Sequence, residues 1–309
     1  MKFFFQSVIV ICLCCGCSRR VDDPIEPKIQ YAVQDKYLKQ LPSPFAPLSP
    51  EERAEDWGKE MVIGCGFART LDLYQAITAF KRASLLGPPS PRDLECLYEI
   101  LLCYYLGQRY AEVVETFEGS SLEGVDDAFP AFFDLLTILY DSYEKTGQEE
   151  KAAVVLHIIR EKQPKLEESL SLYSAFMQGD LNTLCAHSEL YVQEFCELYR
   201  SERRSPRHAQ WLSALLPGAG YWYIGQKQSA ATAFLLNGLF IAAAWHCFNK
   251  GEIAAGAILT SFEMGWYFGG IRGAQQEAKL YNERLYERYA TPLMHKHHLF
   301  PVLTLGHAF

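Results

Sequence analysis

No alternating strand pattern of any length occurs between residues 51 and 210, so this stretch reads as helical throughout. Helix starts are marked in the sequence. Ser49-Pro50-Glu51-Glu52 places a serine N-cap before proline at the first helical position, with acids on the positive end of the dipole. The signature recurs at Ser90-Pro91-Arg92-Asp93 and at Ser205-Pro206. The two ends of the chain follow other patterns. Phe3 to Gly16 is apolar except for Gln6 and Ser7. Its length is roughly 21 Å as helix, which is short of the ~30 Å hydrocarbon core and suits a signal-peptide core. Near the C-terminus, Ala209–Gln226 and Gln228–Asn249 carry no charge, and Ile253–Ile271 carries only Glu263. The last two runs are each long enough to span a bilayer, and only Asn249-Lys250-Gly251-Glu252 separates them. They are therefore expected as antiparallel neighbours in a membrane hairpin. Repeated Ala and Gly, including Gly265-x-x-x-Gly269, suit close helix packing there.

Within the helical stretch a period is visible. Gly64, Phe67, Ala76, Phe80 and Ala83 precede Pro88, and Tyr143, Gly147, Ala152 and Leu156 precede Pro164 at matching internal spacing from the aromatic onward. A copy with fewer matches lies at Gly107, Val113, Phe117 and Ser120, with Gly119–Pro130 as the expected loop. A fourth, degenerate pair is expected over about 166–200, turning at Gly179-Asp180. The pattern resembles the tetratricopeptide-repeat family over roughly 55–165. That resemblance implies stacked helix pairs in which Gly64 and Ala76 are small because helices cross there, and Phe80 fills the gap to the next pair. It also implies a groove that binds extended peptides or partner helices, and no catalysis.

Two further resemblances concern the ends. Cys14-Cys15-Gly16-Cys17 closes the N-terminal apolar run and resembles the lipobox of bacterial lipoproteins, implying a diacylated Cys17. The usual Leu three residues before that cysteine is replaced by Cys14, with Leu13 one place early. Pro217-Gly218-x-Gly220-x-x-Tyr223-x-Gly225 and the apolar helix after it look like small two-transmembrane bacterial domains of unknown activity.

Composition narrows the function. Acidic residues number 37 against 29 basic ones, a net charge of -8, which argues against a nucleic-acid partner. Six prolines from Pro24 to Pro50 predict a semi-rigid tether. The metalloprotease, nucleophile-elbow, Walker and dinucleotide motifs are absent, so neither enzyme activity nor a cofactor is expected. His295, His297 and His298 lie in a tail that offers no second shell, so no metal site is expected. Five cysteines between 65 and 196 (Cys65, Cys96, Cys103, Cys185, Cys196) form an odd set more at home in a reducing compartment. Arg203, Arg204, Arg207 and Arg272 flank the hairpin and outnumber Lys250 in its turn, which would place both flanks in the cytoplasm. The N-terminal signal implies export instead.

The expected protein is all-α: a tetratricopeptide-like solenoid followed by a membrane helical hairpin. The expected segments are a signal peptide with lipobox (1–17), a tether (18–48), a helical-repeat domain (49–204), the membrane hairpin (205–275) and a polar helix with tail (276–309). Asn237 and Glu263 stand at nearly equal distance from the hairpin turn, so they are expected to meet as an intramembrane polar pair. The expected role is a lipid-anchored scaffold of the bacterial envelope that binds protein partners, its repeat domain periplasmic. The alternatives are an accessory of a transport or protein-insertion system, or a hairpin protein of a host membrane.

Overall fold

The computed structural model describes residues 25–29, 35–87 and 91–309. Among them the chain is all-helical, without a strand. Cys17, with residues 18–24 and 30–34 of the tether, lies outside the described residues. The chain divides into two compact units. One holds residues 29–177 with 290–309, and the other holds 178–289 with the described residues 25–28.

In the first unit, α1 (Asp35–Leu38) and α2 (Pro50–Ala54) precede three helical pairs. These are α3 (Asp56–Arg69) with α4 (Leu73–Leu86), α5 (Pro91–Leu106) with α6 (Tyr110–Glu118), and α7 (Phe132–Lys145) with α8 (Glu149–Lys162). A single helix, α9 (Pro164–Gln178), follows. The start of α2 is built as its sequence requires: Glu52 N–H donates to Ser49 Oγ at 3.1 Å, and Ser49 N–H donates to Glu52 Oε2 at 2.7 Å.

One turn closes all three pairs. In each, a residue of left-handed φ follows the first helix: Leu71 (φ 59°), Gln108 (φ 58°) and Gly147 (φ 73°). The next N–H reaches back to an aromatic residue's carbonyl, from Asp72 to Phe67, Arg109 to Tyr104 and Gln148 to Tyr143, at 2.9–3.0 Å. This is a Schellman closure, which satisfies carbonyls the helix end would otherwise leave free. The turn residues are 37 and 39 positions apart, the same intervals as Ala76, Val113 and Ala152, each of which is buried five residues later.

Helix α7 is buried at every position from Asp134 to Tyr143. A helix covered all round needs neighbours on every side. The second wall is supplied by the C-terminal segment, whose short helix α16 (Pro301–Thr304) packs on α7. Two tyrosines of flanking helices meet inside this layer: Tyr105 on α5 and Tyr173 on α9 donate to the two oxygens of buried Asp141, at 2.8 and 2.9 Å.

The second unit contains α10 (Leu181–Ala186), α11 (Leu190–Glu202), α12 (Pro206–Leu215), α13 (Ala219–Tyr223), α14 (Lys227–Asn249) and most of α15 (Ile253–Lys296). The expected fourth pair over 166–200 is divided otherwise. Its second arm breaks into α10 and α11, which a Cys185–Cys196 disulfide ties together, and Phe195 and Tyr199 pack edge-on against Tyr286. The odd cysteine count thus conceals one bridge, and Cys65, Cys96, Cys103 and Cys247 remain free among the described residues. Residues 253–271 and the polar helix expected after them form one continuous helix of 44 residues, so no boundary falls at 275/276. No charged residue or glycine in 272–275 supplies a stop, because each can extend a helix already nucleated.

Candidate functional site

The hairpin begins at the glycine motif, and its spacing has a physical cause at each position. Gly218 has φ 88°, and a Cβ there would collide with the Ala230 carbonyl oxygen. A Cβ on Gly220 would meet the Ala209 carbonyl oxygen and Ser213 Oγ, to which Gly220 N–H donates at 3.2 Å. Gly225 has φ 90° and leads into α14 by the same closure as the pairs above, with Gln226 N–H on the Tyr221 carbonyl at 2.9 Å. Tyr223 anchors the turn to the preceding loop: its hydroxyl accepts from Ser205 N–H at 3.2 Å, and Arg204 lies over its ring at 5.3 Å. Ala209, Ile224 and Ala278 form the small core beneath.

Beyond this turn, apolar side chains face outward. Leu235 is 67% exposed, Leu239 63% and Phe262 67%, and Ile241, Trp245, Ile258 and Trp266 are exposed with them. Together these side chains make a larger exposed apolar surface than solitary leucines do. Helix α14 is the one helix among the described residues that is long and apolar enough to cross a membrane. The second expected span is not of this kind by composition, because Thr260, Ser261 and Glu263 dilute the apolar start of α15.

Asn237 and Glu263 are both buried. Asn237 Nδ2 donates to the Ala233 carbonyl of its own helix at 2.5 Å. Asn237 Oδ1 and both Glu263 oxygens have no hydrogen-bond partner, so the expected pair is not joined by a hydrogen bond. An asparagine one turn after an accessible carbonyl bonds locally, which competes with a bond across helices.

The residues expected to pack the repeats lie in the first unit. A Cβ on Gly64 would stand 2.6 Å from Phe80 Cε1, and Ala76, Phe80, Ala83, Tyr143 and Ala152 are buried. Phe67 and Leu156 are half-buried. Gly147 does not serve packing: nothing approaches a Cβ placed there, and its place is set by its positive φ.

Sequence reading missed the acids of the first helices and the segment that meets them. Asp134 on α7 accepts from Gly306 N–H at 2.9 Å and faces His307 Nδ1 at 2.8 Å. Arg69 on α3 donates to the Phe309 carbonyl at 3.3 Å. Tyr37 donates to the Leu303 carbonyl at 2.7 Å, and Ala308 N–H to the Pro42 carbonyl at 3.0 Å. Arg92 on α5 clamps Glu52 at 3.0 and 3.1 Å, Glu95 at 2.7 Å, and the Ala46 carbonyl at 2.8 Å. The signal for the segment was present as the apolar run Leu299-Phe300-Pro301-Val302-Leu303 after a polar helix. Beside Arg69, burial pushes Glu99 well above the ordinary carboxylate range; Glu95 adds to this and Arg69 opposes it. Burial also pushes the thiols of Cys65 and Cys96 up to about 12, with nearby acids in the same direction, which keeps them protonated. No cluster of His, Cys, Asp or Glu among the described residues could hold a metal ion.

No protein-family model, curated protein or solved structure matches this chain.

Proposed function

We propose that the protein is a membrane-attached scaffold of a bacterial envelope, in which tetratricopeptide-like helical pairs dock partner proteins and the hairpin of α14 and early α15 enters the bilayer. The observation that carries this reading is the outward apolar surface on α14 and α15, where Leu235, Leu239 and Phe262 expose about two-thirds of their area. In water that surface is unfavourable by about 25 cal/mol per Å², and in lipid it is not. The Schellman-closed pairs support the docking platform, since their period matches the buried Ala76, Val113 and Ala152. The Cys185–Cys196 bridge supports export, because disulfides persist in oxidising compartments. In this reading Cys17 carries acyl chains, and each buried CH₂ contributes about 0.8 kcal/mol to a second anchor.

Alkaline carbonate extraction of membranes tests the hairpin. Wild type and Cys17→Ser should both stay in the pellet, and Leu235→Lys with Leu239→Lys in the Cys17→Ser background should release the protein. Release of Cys17→Ser alone would overturn the hairpin anchor. Fatty-acid labelling that persists in Cys17→Ser would overturn lipidation there. A second reading, in which the hairpin itself works in transport or insertion, is favoured by the two unpartnered oxygens of buried Glu263. Loss of function in Glu263→Gln with unchanged membrane retention would select it.

A further inference from the structure

Between α6 and α8 the first unit is open. The connection from α6 to α7 carries a 3-10 turn, Ser121–Gly124, and a groove of about 480 Å³ lies over α7 between this turn and α8. That volume falls within the roughly 300–1,000 Å³ of ligand sites. Leu122 of the turn and Leu135 and Leu136 of α7 form a buried apolar floor. The outer wall is one row of α8, in which Val154 is 61% and Ile158 37% exposed. These two are four residues apart, so they stand one above the other on the helix. An apolar row of a helix is ordinarily covered by another element. Here it stays open to solvent.

The charges around this groove are one-sided. No lysine or arginine lies between Arg109 and Lys145, and the stretch holds Glu112, Glu115, Glu118, Glu123, Asp126 and Asp127. Acids of this wall therefore take their cations from α8. Lys151 donates to Glu118 at 2.5 Å, and Lys162 donates to Asp127 at 2.6 Å. Both lysines are thereby committed. Glu123 and Glu150 line the groove and are exposed, and their carboxylates have no ion pair or hydrogen bond among the described residues. An apolar groove under uncompensated carboxylates repels a fatty-acid carboxylate or a lipid phosphate. It attracts an apolar group that carries a cation beside it.

We propose that this groove docks a basic, amphipathic segment of a partner protein. Its large apolar side chains seat on the leucine floor against Val154 and Ile158, and its lysine or arginine side chains face Glu123 and Glu150. The apolar anchors supply most of the affinity, and the rim charges steer the segment in and exclude acidic competitors. The inference rests on the docking role proposed above and gives that role a place and a ligand chemistry.

Fluorescence anisotropy on the full chain in a zwitterionic detergent tests this with two labelled peptides, one alternating leucine with lysine and the other leucine with glutamate. Micelles without protein supply the baseline. The lysine peptide should bind wild type at least ten-fold more tightly than the glutamate peptide. Val154→Ser with Ile158→Ser, at exposed positions that leave the fold intact, should weaken it at least ten-fold. Glu123→Lys with Glu150→Lys should reverse the preference. Equal binding of the two peptides would overturn the inference, as would lysine-peptide binding that survives the serine substitutions. A dimer that the serine substitutions dissociate would also overturn it, by assigning the groove to a second copy. A co-purified lipid lost from the same variant would assign it to lipid instead. Photo-crosslinking in cells separates the groove from docking as such. A photoreactive residue at 154 should trap a partner protein. Trapping at exposed Leu85 of α4 but not at 154 would overturn the groove and leave docking standing, and trapping at neither would overturn both.

Discussion

Phe80 lies against the bare Cα of Gly64, so close that a Cβ on Gly64 would stand 2.6 Å from Phe80 Cε1 and 2.7 Å from Cδ1. Glycine inside a helix is unfavourable by roughly 0.5–1 kcal/mol relative to alanine, so its use in α3 marks where α4 must approach. Phe80 itself is fully buried and cannot swing to solvent.

Gly64→Val should therefore overpack the crossing and lower stability by about 1–3 kcal/mol. Phe80→Leu in the same chain should recover part of the loss, because the ring is the obstruction. Urea denaturation of both singles and the double closes the cycle, and strict additivity would mean that the two residues do not share one contact.

Glu99→Gln should stabilise the protein at neutral pH. The folded-state carboxyl titrates well above its ordinary value of 4.5, because burial disfavours the charge. The folded protein therefore holds its proton over a pH range in which the unfolded chain has lost it. Stability from this group is greatest below pH 4.5 and falls as pH rises through that range, by up to about 1.4 kcal/mol per pH unit. The amide removes the loss, so melting curves of variant and wild type should separate as pH rises from 4 and converge as it falls.

Reducing the Cys185–Cys196 bridge should destabilise the second unit. The cysteines are 11 residues apart in sequence, and a loop of this length corresponds to about 3 kcal/mol in the chain-entropy account. Cys65 and Cys96, whose burial raises them to about 12, should resist iodoacetamide in the native protein and react on unfolding. Mass spectrometry after alkylation distinguishes the two sets of cysteines. Rapid native labelling of Cys96 would mean that the α3–α5 layer opens.

Gly220→Ala should disrupt the turn before α14, because the added methyl meets the Ala209 carbonyl oxygen, a backbone atom that cannot rotate away. Gly238→Ala, in the same apolar region but with nothing near its Cβ, should be neutral or slightly stabilising, as expected for alanine in a helix. Thermal unfolding in detergent compares the pair, and equal midpoints would contradict the close approach at residue 220.

Much of the local structure was legible because it depends on neighbours in sequence. The serine caps at 49 and 205, the three helical pairs and their 37- and 39-residue intervals, and the apolar runs at 228–249 and 253–271 all follow from patterns within a few turns of helix. The glycine motif at 218–225 was equally plain as a pattern, although its cause, three separate steric and dihedral demands, is a matter of which carbonyl lies opposite each Cα.

The tertiary structure alone decided what those elements meet. Cys185 and Cys196 could be paired only once α10 and α11 folded back on each other, since the five cysteines of that region permit several pairings. Asn237 and Glu263 share a depth by counting, yet the asparagine bonds Ala233 on its own helix, because the nearest carbonyl one turn back is always within reach. Asp134 and Gly306 are 172 residues apart, and no periodicity connects them. Periodicity reports which face of an element is apolar; it carries no information on which distant segment covers that face, because hydrophobic burial is non-directional and any apolar segment of suitable shape can provide it.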